Sequence, residues 1–212
     1  MTNFFSVEST FFEVLGYPVS YIEFVGTVLY FASVWLIARR NMMTWPVGIA
    51  SVILYMILFY QFNLYSDVLE QVYYLVASLY GWWVWSQGSR QGKVATGFSK
   101  PKTLLTWALA TLSLGLILGF VMSNVNSWLP EVFPQPAALP MLDAITTVMS
   151  LSAMWLLTLK RAESWVYWII VDLAAIYIYF TKEIVFVGMQ YVVLTLMAIY
   201  GFIVWRKSPT KN

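Results

Sequence analysis

Residues 164–205 read SWVYWIIVDLAAIYIYFTKEIVFVGMQYVVLTLMAIYGFIVW, and they align without a gap to residues 44–85, TWPVGIASVILYMILFYQFNLYSDVLEQVYYLVASLYGWWVW. The offset is 120 residues, so that Trp165 falls on Trp45 and the Tyr-Gly pair near the end of each stretch coincides. Apolar helices resemble one another by chance, but a shared register of tryptophans and a Tyr-Gly pair does not follow from composition alone. The two stretches therefore indicate an internal repeat.

The composition indicates a membrane protein. The chain has 212 residues, of which 60% are hydrophobic and only 10% charged, and its mean hydropathy is +0.72. Soluble domains carry about 25% charged residues, so several transmembrane helices are expected. The absence of cysteine and histidine excludes disulfides, thiolate chemistry and the commonest metal ligand. The net charge is only +2, and we expect no nucleic-acid partner.

Seven apolar segments are separated by short polar turns and two longer loops. Each is long enough, or nearly so, to cross a hydrocarbon core of about 30 Å as an α-helix. We therefore predict an all-α membrane protein with seven transmembrane helices, at residues 20–38, 43–62, 66–86, 103–125, 140–159, 164–181 and 184–205.

The repeat divides these predicted helices into two groups of three. It extends towards the N-terminus, since Glu23 falls on Asp143. Each helix of the first group is matched by the helix four places later in the chain. Because four is an even number of crossings, both groups have the same orientation in the membrane, as in sugar carriers of the SWEET type. The predicted fold is a 3+1+3 parallel-repeat, SWEET-like transporter with its substrate site between the repeats. Its parts are an outer N-terminal segment (1–19), the first repeat (20–86), a loop, connecting helix and loop (87–139), the second repeat (140–205) and a cytoplasmic tail (206–212).

Polar side chains within the predicted helices mark the candidate substrate site. A charged group facing lipid costs at least about 2.5–3.5 kcal/mol, so such groups usually face a cavity. Helical periodicity places Trp165, Trp168 and Asp172 on one stripe of the sixth helix, and Asp143 and Thr147 on one stripe of the fifth. The candidate substrate-binding residues are Trp165, Trp168, Asp172, Glu70, Gln71, Asp143, Thr147 and Gln190.

Less specific interpretations stay open for several residues. Glu23 and Asp67 fit simple solvation at the outer membrane surface. Because Trp165 begins a predicted helix, membership of an interfacial belt is its alternative interpretation. For Asp172 the alternative is a structural pair with another side chain of the protein. Tryptophans near predicted helix ends commonly form an interfacial belt, and this interpretation applies to Trp45, Trp85, Trp128 and Trp205.

Aromatic rings beside carboxylates in a poorly solvated cavity suit a flat cationic ring. The aromatic side chains stack on such a ring and add cation–π attraction. The carboxylate neutralises the positive charge or accepts a hydrogen bond from an amine. A neutral sugar would use the stacking but not the acid.

The sequence offers no enzyme site, and we predict no catalytic residue, metal or cofactor. The loop GSRQGKV (88–94) has only three residues between its glycines, and Val94 replaces the hydroxyl residue that would hold Mg²⁺ in a P-loop. Hydrolysis of ATP by this chain is therefore not expected. The alternative to a transporter is a membrane scaffold or receptor subunit, which would not need a polar pocket inside the membrane.

The chain resembles the PnuC family of bacterial vitamin transporters, which includes nicotinamide riboside-type (PnuC) and thiamine-type (PnuT) members. The resemblance rests on WPVG (45–48), LYSDVLEQVYYL (64–75), the stretch DAITTVMSLSAMWLLTLKRAESWVYWIIVD (143–172) and the closing Tyr-Gly pair. It implies vitamin uptake by facilitated diffusion across the inner membrane, with the vitamin trapped by a cytoplasmic kinase that phosphorylates it. By the family motif, Trp165, Trp168, Asp172, Gln71, Asp143 and Thr147 would lie in or beside the pocket.

Two positions bear on the choice of vitamin. Glu70 and Gln190 depart from the pattern of the nicotinamide riboside carriers. An additional carboxylate facing the pocket suits thiamine, with its cationic thiazolium and its amine donors. We therefore expect thiamine as the leading substrate, nicotinamide riboside as the alternative and riboflavin as a second alternative.

Basic residues predict the orientation of the chain in the membrane. Of 12 lysines and arginines, only Lys182 falls on the outer side if the N-terminus is outside and the C-terminus is cytoplasmic. A reporter enzyme that is active only in the cytoplasm, fused after Asn212, should be active. A well-expressed but silent fusion would contradict this topology.

Overall fold

The computed structural model describes residues 4–14, 16–87, 96–131, 135, 139–181 and 183–207. Within them lie seven α-helices and one antiparallel hairpin of two strands. The strands are β1 (Thr10–Val14) and β2 (Tyr17–Ser20). The helices are α1 (Tyr21–Ala38), α2 (Thr44–Gln61), α3 (Tyr65–Ser86), α4 (Pro101–Trp128), α5 (Pro140–Thr158), α6 (Ser164–Thr181) and α7 (Val185–Arg206).

The hairpin is a departure from the all-α prediction. Its strands are rich in aromatic and β-branched residues, which favour extended backbone. Gly16 lies between them with φ of 80°, a left-handed conformation that glycine adopts without steric cost. Strands of only four and five residues give no signal in a search for helices of membrane length, so the sequence analysis missed them.

The backbone keeps the 120-residue offset of the sequence repeat. The bounds of α6 and α7 follow those of α2 and α3 at this offset. Arg40 and Lys160, in the turns before α2 and α6, have φ of 60° and 63°. Asn63 and Glu183, in the turns before α3 and α7, have φ of 59° and 60°. The same two turns are thus built twice from different residues, while the SWEET-like 3+1+3 arrangement as a whole stays a prediction.

Six of the seven described helices are long and apolar enough to cross a membrane. The helix that is not among these six is α3, although it has 22 residues. Its first two turns carry Asp67, Glu70 and Gln71, which lower its hydropathy. Six of the seven predicted transmembrane helices therefore have the length and composition to cross, and the crossing of α3 stays a prediction.

Contacts between helices form a closed ring of six. α1 contacts α2 and α7, α3 contacts α2 and α5, and α6 contacts α5 and α7. α4 packs along α5. The predicted repeats therefore meet at two equivalent contacts, α1 with α7 and α5 with α3.

Equivalent side chains join the two halves at these contacts. Trp35 of α1 stacks on Tyr200 of α7, with ring centroids 5.1 Å apart and an interplanar angle of 14°. Trp155 of α5 stacks in the same way on Tyr80 of α3, at 5.2 Å and 4°. The two tryptophans lie 120 residues apart in the sequence, and so do the two tyrosines. The two stacks are therefore equivalent, with the roles of the first and second half interchanged.

Four tryptophans form a buried cluster at the end of the bundle where α2 and α6 begin. Their rings meet edge-on or tilted, with centroids 5.3 Å apart for Trp45 and Trp85, 5.9 Å for Trp85 and Trp205, and 5.6 Å for Trp165 and Trp205. The indole N–H groups of Trp85 and Trp205 donate to the carbonyls of Thr158 and Ile37 at 3.2 and 3.1 Å. We call these four residues the tryptophan cluster.

The cluster corrects the interfacial-belt interpretation of Trp45, Trp85 and Trp205. All three are at most 2% exposed. Glycines on the facing helices admit the rings of Trp45 and of Trp165, the fourth member of the cluster. A Cβ added at Gly81 would lie 2.2 Å from the Trp45 ring, and one added at Gly201 would lie 2.6 Å from the Trp165 ring. Only Trp128 of the proposed belt is exposed, at 55%.

The contact between Gly201 and Trp165 predicts the effect of a small substitution. In Gly201→Ala the indole ring must move, and overpacking of this kind costs about 1–3 kcal/mol. We expect the thermal unfolding midpoint of the purified protein in detergent to fall by several degrees.

Gly48→Ala is the matched control on a transmembrane helix. Its added Cβ would meet only Ser33, at an ordinary 3.5 Å. Equal midpoints for Gly201→Ala and Gly48→Ala would contradict the importance of the close contact.

Candidate functional site

The centre of the helix ring holds a connected group of polar side chains. Tyr30 and Tyr191 each lie within electrostatic range of both Asp172 and Glu70. Each of the six ring helices contributes at least one member. We call the group the central cluster, and its members are Tyr30 (α1), Tyr55 (α2), Glu70 and Tyr74 (α3), Ser150 (α5), Asp172 (α6) and Tyr191 (α7).

Open space remains inside this cluster. Tyr30, Tyr74 and Tyr191 are surrounded by protein atoms, yet each keeps part of its surface accessible. Side chains in a fully packed core would have no such surface. The six helices therefore leave accessible surface on polar side chains at the centre of the ring, and we call this region the hollow. In repeat-built carriers the substrate site lies between the repeats.

Asp172 has no protein partner in the part of the chain that the structure describes. The residue is only 4% exposed, and neither a hydrogen bond nor an ion pair to a described residue accounts for its carboxylate. No lysine or arginine occurs in the ring helices except Arg206, in the last turn of α7. A buried carboxylate without a counter-charge is costly, and no described residue supplies that charge.

Glu70 is engaged within its own helix. The hydroxyl of Tyr74 donates to Glu70 Oε1 at 2.6 Å, and Ser150 of α5 lies close to Tyr74. This bond holds the carboxylate in place and uses part of its acceptor capacity. Glu70 is half-buried and faces the same hollow as Asp172.

Three other predicted site residues are half-buried side chains on the ring helices. Gln71 follows Glu70 on α3, Thr147 lies on α5 and Gln190 lies on α7 beside Tyr191. Among the described residues none of the three side chains forms a hydrogen bond. Their amides and hydroxyl are therefore available to a ligand.

Asp143 lies elsewhere, in the first turn of α5. It is exposed, and it is within electrostatic range of Tyr179, as is Asp67 in the first turn of α3. The structure thus brings Asp143 to the end of the bundle that is opposite the tryptophan cluster, and outside the central cluster. This end of the bundle is the predicted outer side, where a substrate would enter.

The two predicted pocket tryptophans differ in their surroundings. Trp165 is 2% exposed, and its ring is enclosed by Gly201 and Trp205. Trp168 is only half-buried and packs against the tryptophan cluster one turn closer to Asp172. Of the pair, Trp168 has the ring face available for stacking.

The sequence analysis missed most of the tyrosines of the central cluster. It selected intramembrane charges and amides, whereas four of the seven members are tyrosines, which are unremarkable in a membrane helix. Tyr191 is adjacent to the selected Gln190, and Tyr74 stands one turn after the selected Glu70. Position next to a selected polar residue was therefore the signal that could have found these two tyrosines.

The β-hairpin covers part of the bundle end opposite the tryptophan cluster. Tyr17 donates to Glu23 of α1 at 3.0 Å and stacks on Phe186 of α7, with centroids 5.7 Å apart. Burial raises the pKa of Tyr17, and the nearby Glu23 charge adds to this. The phenol consequently stays a hydrogen-bond donor at physiological pH. Gln61 of α2 bonds the backbone of Phe5 and Val7 and anchors the preceding segment.

A backbone bridge closes the opposite end beside the tryptophan cluster. Gly97 pairs with Lys160 and Ala162 in the turn between α5 and α6, and the buried Glu163 carboxylate accepts from the Ser99 N–H at 3.2 Å. Lys160 Nζ donates to the carbonyl of Val84 at 3.2 Å, and burial lowers the pKa of this lysine. The loop residues 88–95 and Lys182 lie outside the described residues.

A second concavity lies on the outer surface of the bundle between α3, α4 and α5. It is an open groove of about 630 Å³ with an almost wholly apolar lining that includes Tyr73, Trp107 and Trp155. No charged residue lines it. It faces the lipid and does not suit a polar or cationic substrate.

Comparisons with known proteins agree with this arrangement. A family model described as nicotinamide mononucleotide transporter matches residues 20–207. The chain is 30% identical to the nicotinamide riboside transporter PnuC of Escherichia coli (strain K12), over 99% of this chain and 97% of that protein. It is 26% identical to the riboflavin/roseoflavin transporter RibM of Streptomyces davaonensis, over 94% and 91%. A crystal structure of the vitamin B3 transporter PnuC has the same fold, with a TM-score of 0.67 at 22% identity, over 87% of this chain and 80% of that one.

Proposed function

The chain belongs to the nicotinamide mononucleotide transporter family, the PnuC family of its sequence resemblance, and we propose that it carries nicotinamide riboside into the cell. It is a multi-pass protein of the inner membrane and a transporter rather than an enzyme. The proposal concerns the vitamin, the residues that bind it and the way it crosses.

Nicotinamide riboside replaces thiamine as the leading substrate. The relative from E. coli, similar over nearly its whole length, is named for this vitamin, and no comparison supports the thiamine preference. The thiamine expectation relied on Glu70 as a free additional carboxylate. Because Tyr74 donates to Glu70, that carboxylate is partly satisfied within the protein. Thiamine and nicotinamide riboside each carry one positive charge, so the choice between them rests on the named relative and not on the charge of Asp172.

The unpaired, buried carboxylate of Asp172 is the main support for this proposal. Its carboxylate is buried, lacks a partner among the described residues and borders the central cluster. A bound pyridinium cation would supply the missing counter-charge in a site of low dielectric constant. Trp168 would stack on the flat ring and add cation–π attraction. Gln71, Thr147 and Gln190 offer hydrogen bonds around it, and we assign Trp165 to packing beside this site.

The proposed path runs along the axis of the ring. In this proposal α3 crosses the membrane as the seventh span, the two groups of three helices form the SWEET-like 3+1+3 arrangement, and the N-terminus lies outside. The vitamin enters past Asp143 and Asp67 and leaves where the tryptophan cluster opens. A cytoplasmic kinase then phosphorylates it and prevents its return.

Riboflavin is the second candidate, because RibM is a relative over most of the chain. Its flat ring system would also stack on tryptophan. Riboflavin is neutral, however, and would leave the Asp172 carboxylate without a counter-charge. We therefore favour the cationic vitamin.

Substitution of Asp172 tests the charge interaction directly. Asp172→Asn should weaken binding of nicotinamide riboside about 10- to 100-fold, because a charge-assisted hydrogen bond contributes roughly 1.5–3 kcal/mol. Isothermal titration calorimetry on purified protein measures this. Glu131→Gln, which removes an exposed acid near the end of α4, is the matched control and should bind normally. Unchanged affinity in Asp172→Asn would exclude the proposed site.

Transport should be passive, since the sequence has no nucleotide-binding motif. Protein reconstituted in liposomes should equilibrate labelled nicotinamide riboside across the membrane without any imposed gradient. Accumulation above the external concentration that depends on a sodium or proton gradient would contradict facilitated diffusion. Liposomes without protein serve as the control for leakage.

A further inference from the structure

The hairpin of β1 and β2 is an addition to the helix ring. The family model begins at residue 20, which is the last residue of β2. The hairpin lies at the end of the bundle opposite the tryptophan cluster and touches both α1 and α7. These two helices belong to different halves of the repeat. If the halves separate at this end, the hairpin must therefore lose its attachment to one of them.

Hydrogen bonds attach the base of the hairpin to the first half. The Tyr21 N–H, in α1, donates to the Ser9 carbonyl at 3.2 Å. The side chain of Gln61, at the end of α2, donates to the Phe5 carbonyl at 2.6 Å and accepts from the Val7 N–H at 3.2 Å. The segment that leads into β1 is thus bonded to two helices of the same half.

Aromatic packing adds to this attachment. The ring of Phe11 lies 4.8 Å from that of Tyr21 and 5.0 Å from that of Phe24, and the ring of Phe12 lies 5.5 Å from Phe24. Val19 of β2 is only 2% exposed. The hairpin is therefore held to α1 by both polar and apolar contacts.

The attachment to the second half is of another kind. Tyr17 stacks on Phe186 in the first turn of α7, with centroids 5.7 Å apart and an interplanar angle of 27°. No residue of the hairpin forms a hydrogen bond to a described residue of α4, α5, α6 or α7. At the tip, a Cβ added to Gly16 would meet no atom within 4 Å, so this residue is not packed against a helix.

We propose that the hairpin is a lid over this end of the ring, hinged on α1 and α2 and held shut on α7 by the stack of Tyr17 on Phe186. The inference goes beyond the proposed function, because it applies whichever vitamin is carried. When the lid opens, the Tyr17 hydroxyl keeps its bond to Glu23 of α1 and only a ring contact breaks. A contact that separates without leaving a buried polar group unpaired suits a motion repeated in every transport cycle.

Distances between spin labels test the motion without any substrate. The chain has no cysteine, so two introduced cysteines are the only labelled positions. The tip pair joins Glu13→Cys in β1 to Tyr177→Cys in α6, and the base pair joins Thr10→Cys in β1 to Tyr60→Cys in α2. All four side chains are exposed. Pulsed electron paramagnetic resonance on the full-length protein in lipid measures each pair.

Removal of the stack should open the lid at its tip alone. In Phe186→Ala the fraction of long tip-pair distances should rise about 2- to 10-fold, as expected from the loss of one aromatic pair. The base-pair distances should not change, because every bond of the hinge remains. Val185→Ala, in the same turn of α7 and 40% exposed, is the matched control and should alter neither pair.

A reversible cross-link tests whether the lid controls passage. Cysteines in place of Tyr17 and Phe186, joined by a short thiol reagent that a reductant cleaves, should slow exchange of labelled nicotinamide riboside into liposomes about 10-fold or more. Reductant should restore the exchange. The control pair replaces Val7 and Gln61 at the hinge, and its cross-link should change exchange less than about twofold, since both positions stay on the first half.

Several results would overturn the lid. Unchanged tip distances in Phe186→Ala would mean that the stack does not hold the hairpin, and equal lengthening of both pairs would mean that the hairpin detaches as a whole. Undiminished exchange with the tip cross-linked would show that the substrate does not pass beneath it. If the unsubstituted protein does not exchange the riboside, the proposed function fails, and the label distances still decide the lid. Lengthening confined to the tip pair supports it.

Discussion

The close approach of tryptophan rings to glycines is the contact on which the architecture depends. Trp45 lies over Gly81 and Trp165 over Gly201, at equivalent places in the two halves. In a lipid solvent, burial of apolar surface gives no preference for helix packing over contact with lipid, so close van der Waals contact must hold the helices together. Because glycine has no side chain at these two positions, four indoles pack together at one end of the ring and close that end.

The functional part of the molecule arises from differences between the halves. Position by position, Asp172 stands opposite Val52, Glu70 opposite Gln190 and Tyr30 opposite Ser150. A symmetric frame thus encloses an asymmetric site, with acids and phenols that the other half does not reproduce.

Polar contacts at the two ends of the ring differ in strength and kind. At one end the backbone bridge of Gly97, the carboxylate of Glu163 and the tryptophan cluster fix the turn between α5 and α6. At the other end a short hairpin is attached through the side chains of Tyr17 and Gln61. The hairpin end also has one backbone bond to the bundle, from Tyr21 N–H to the Ser9 carbonyl at 3.2 Å.

The sequence by itself determined the membrane class, the helix positions and the repeat, because hydropathy, turn residues and a constant offset are local properties of the chain. It also identified Asp172 and Glu70, since a charge inside an apolar helix stands out without any neighbour. Only the tertiary structure decided which way each helix faces. Lipid-facing and core-facing surfaces are equally apolar in this solvent, and for this reason Trp45, Trp85 and Trp205 could pass for belt residues, and the tyrosines of the central cluster show nothing of their position in a single helix. Their places inside the ring follow from the rotation of six helices against one another, which is a property of the packed ring and not of any one segment.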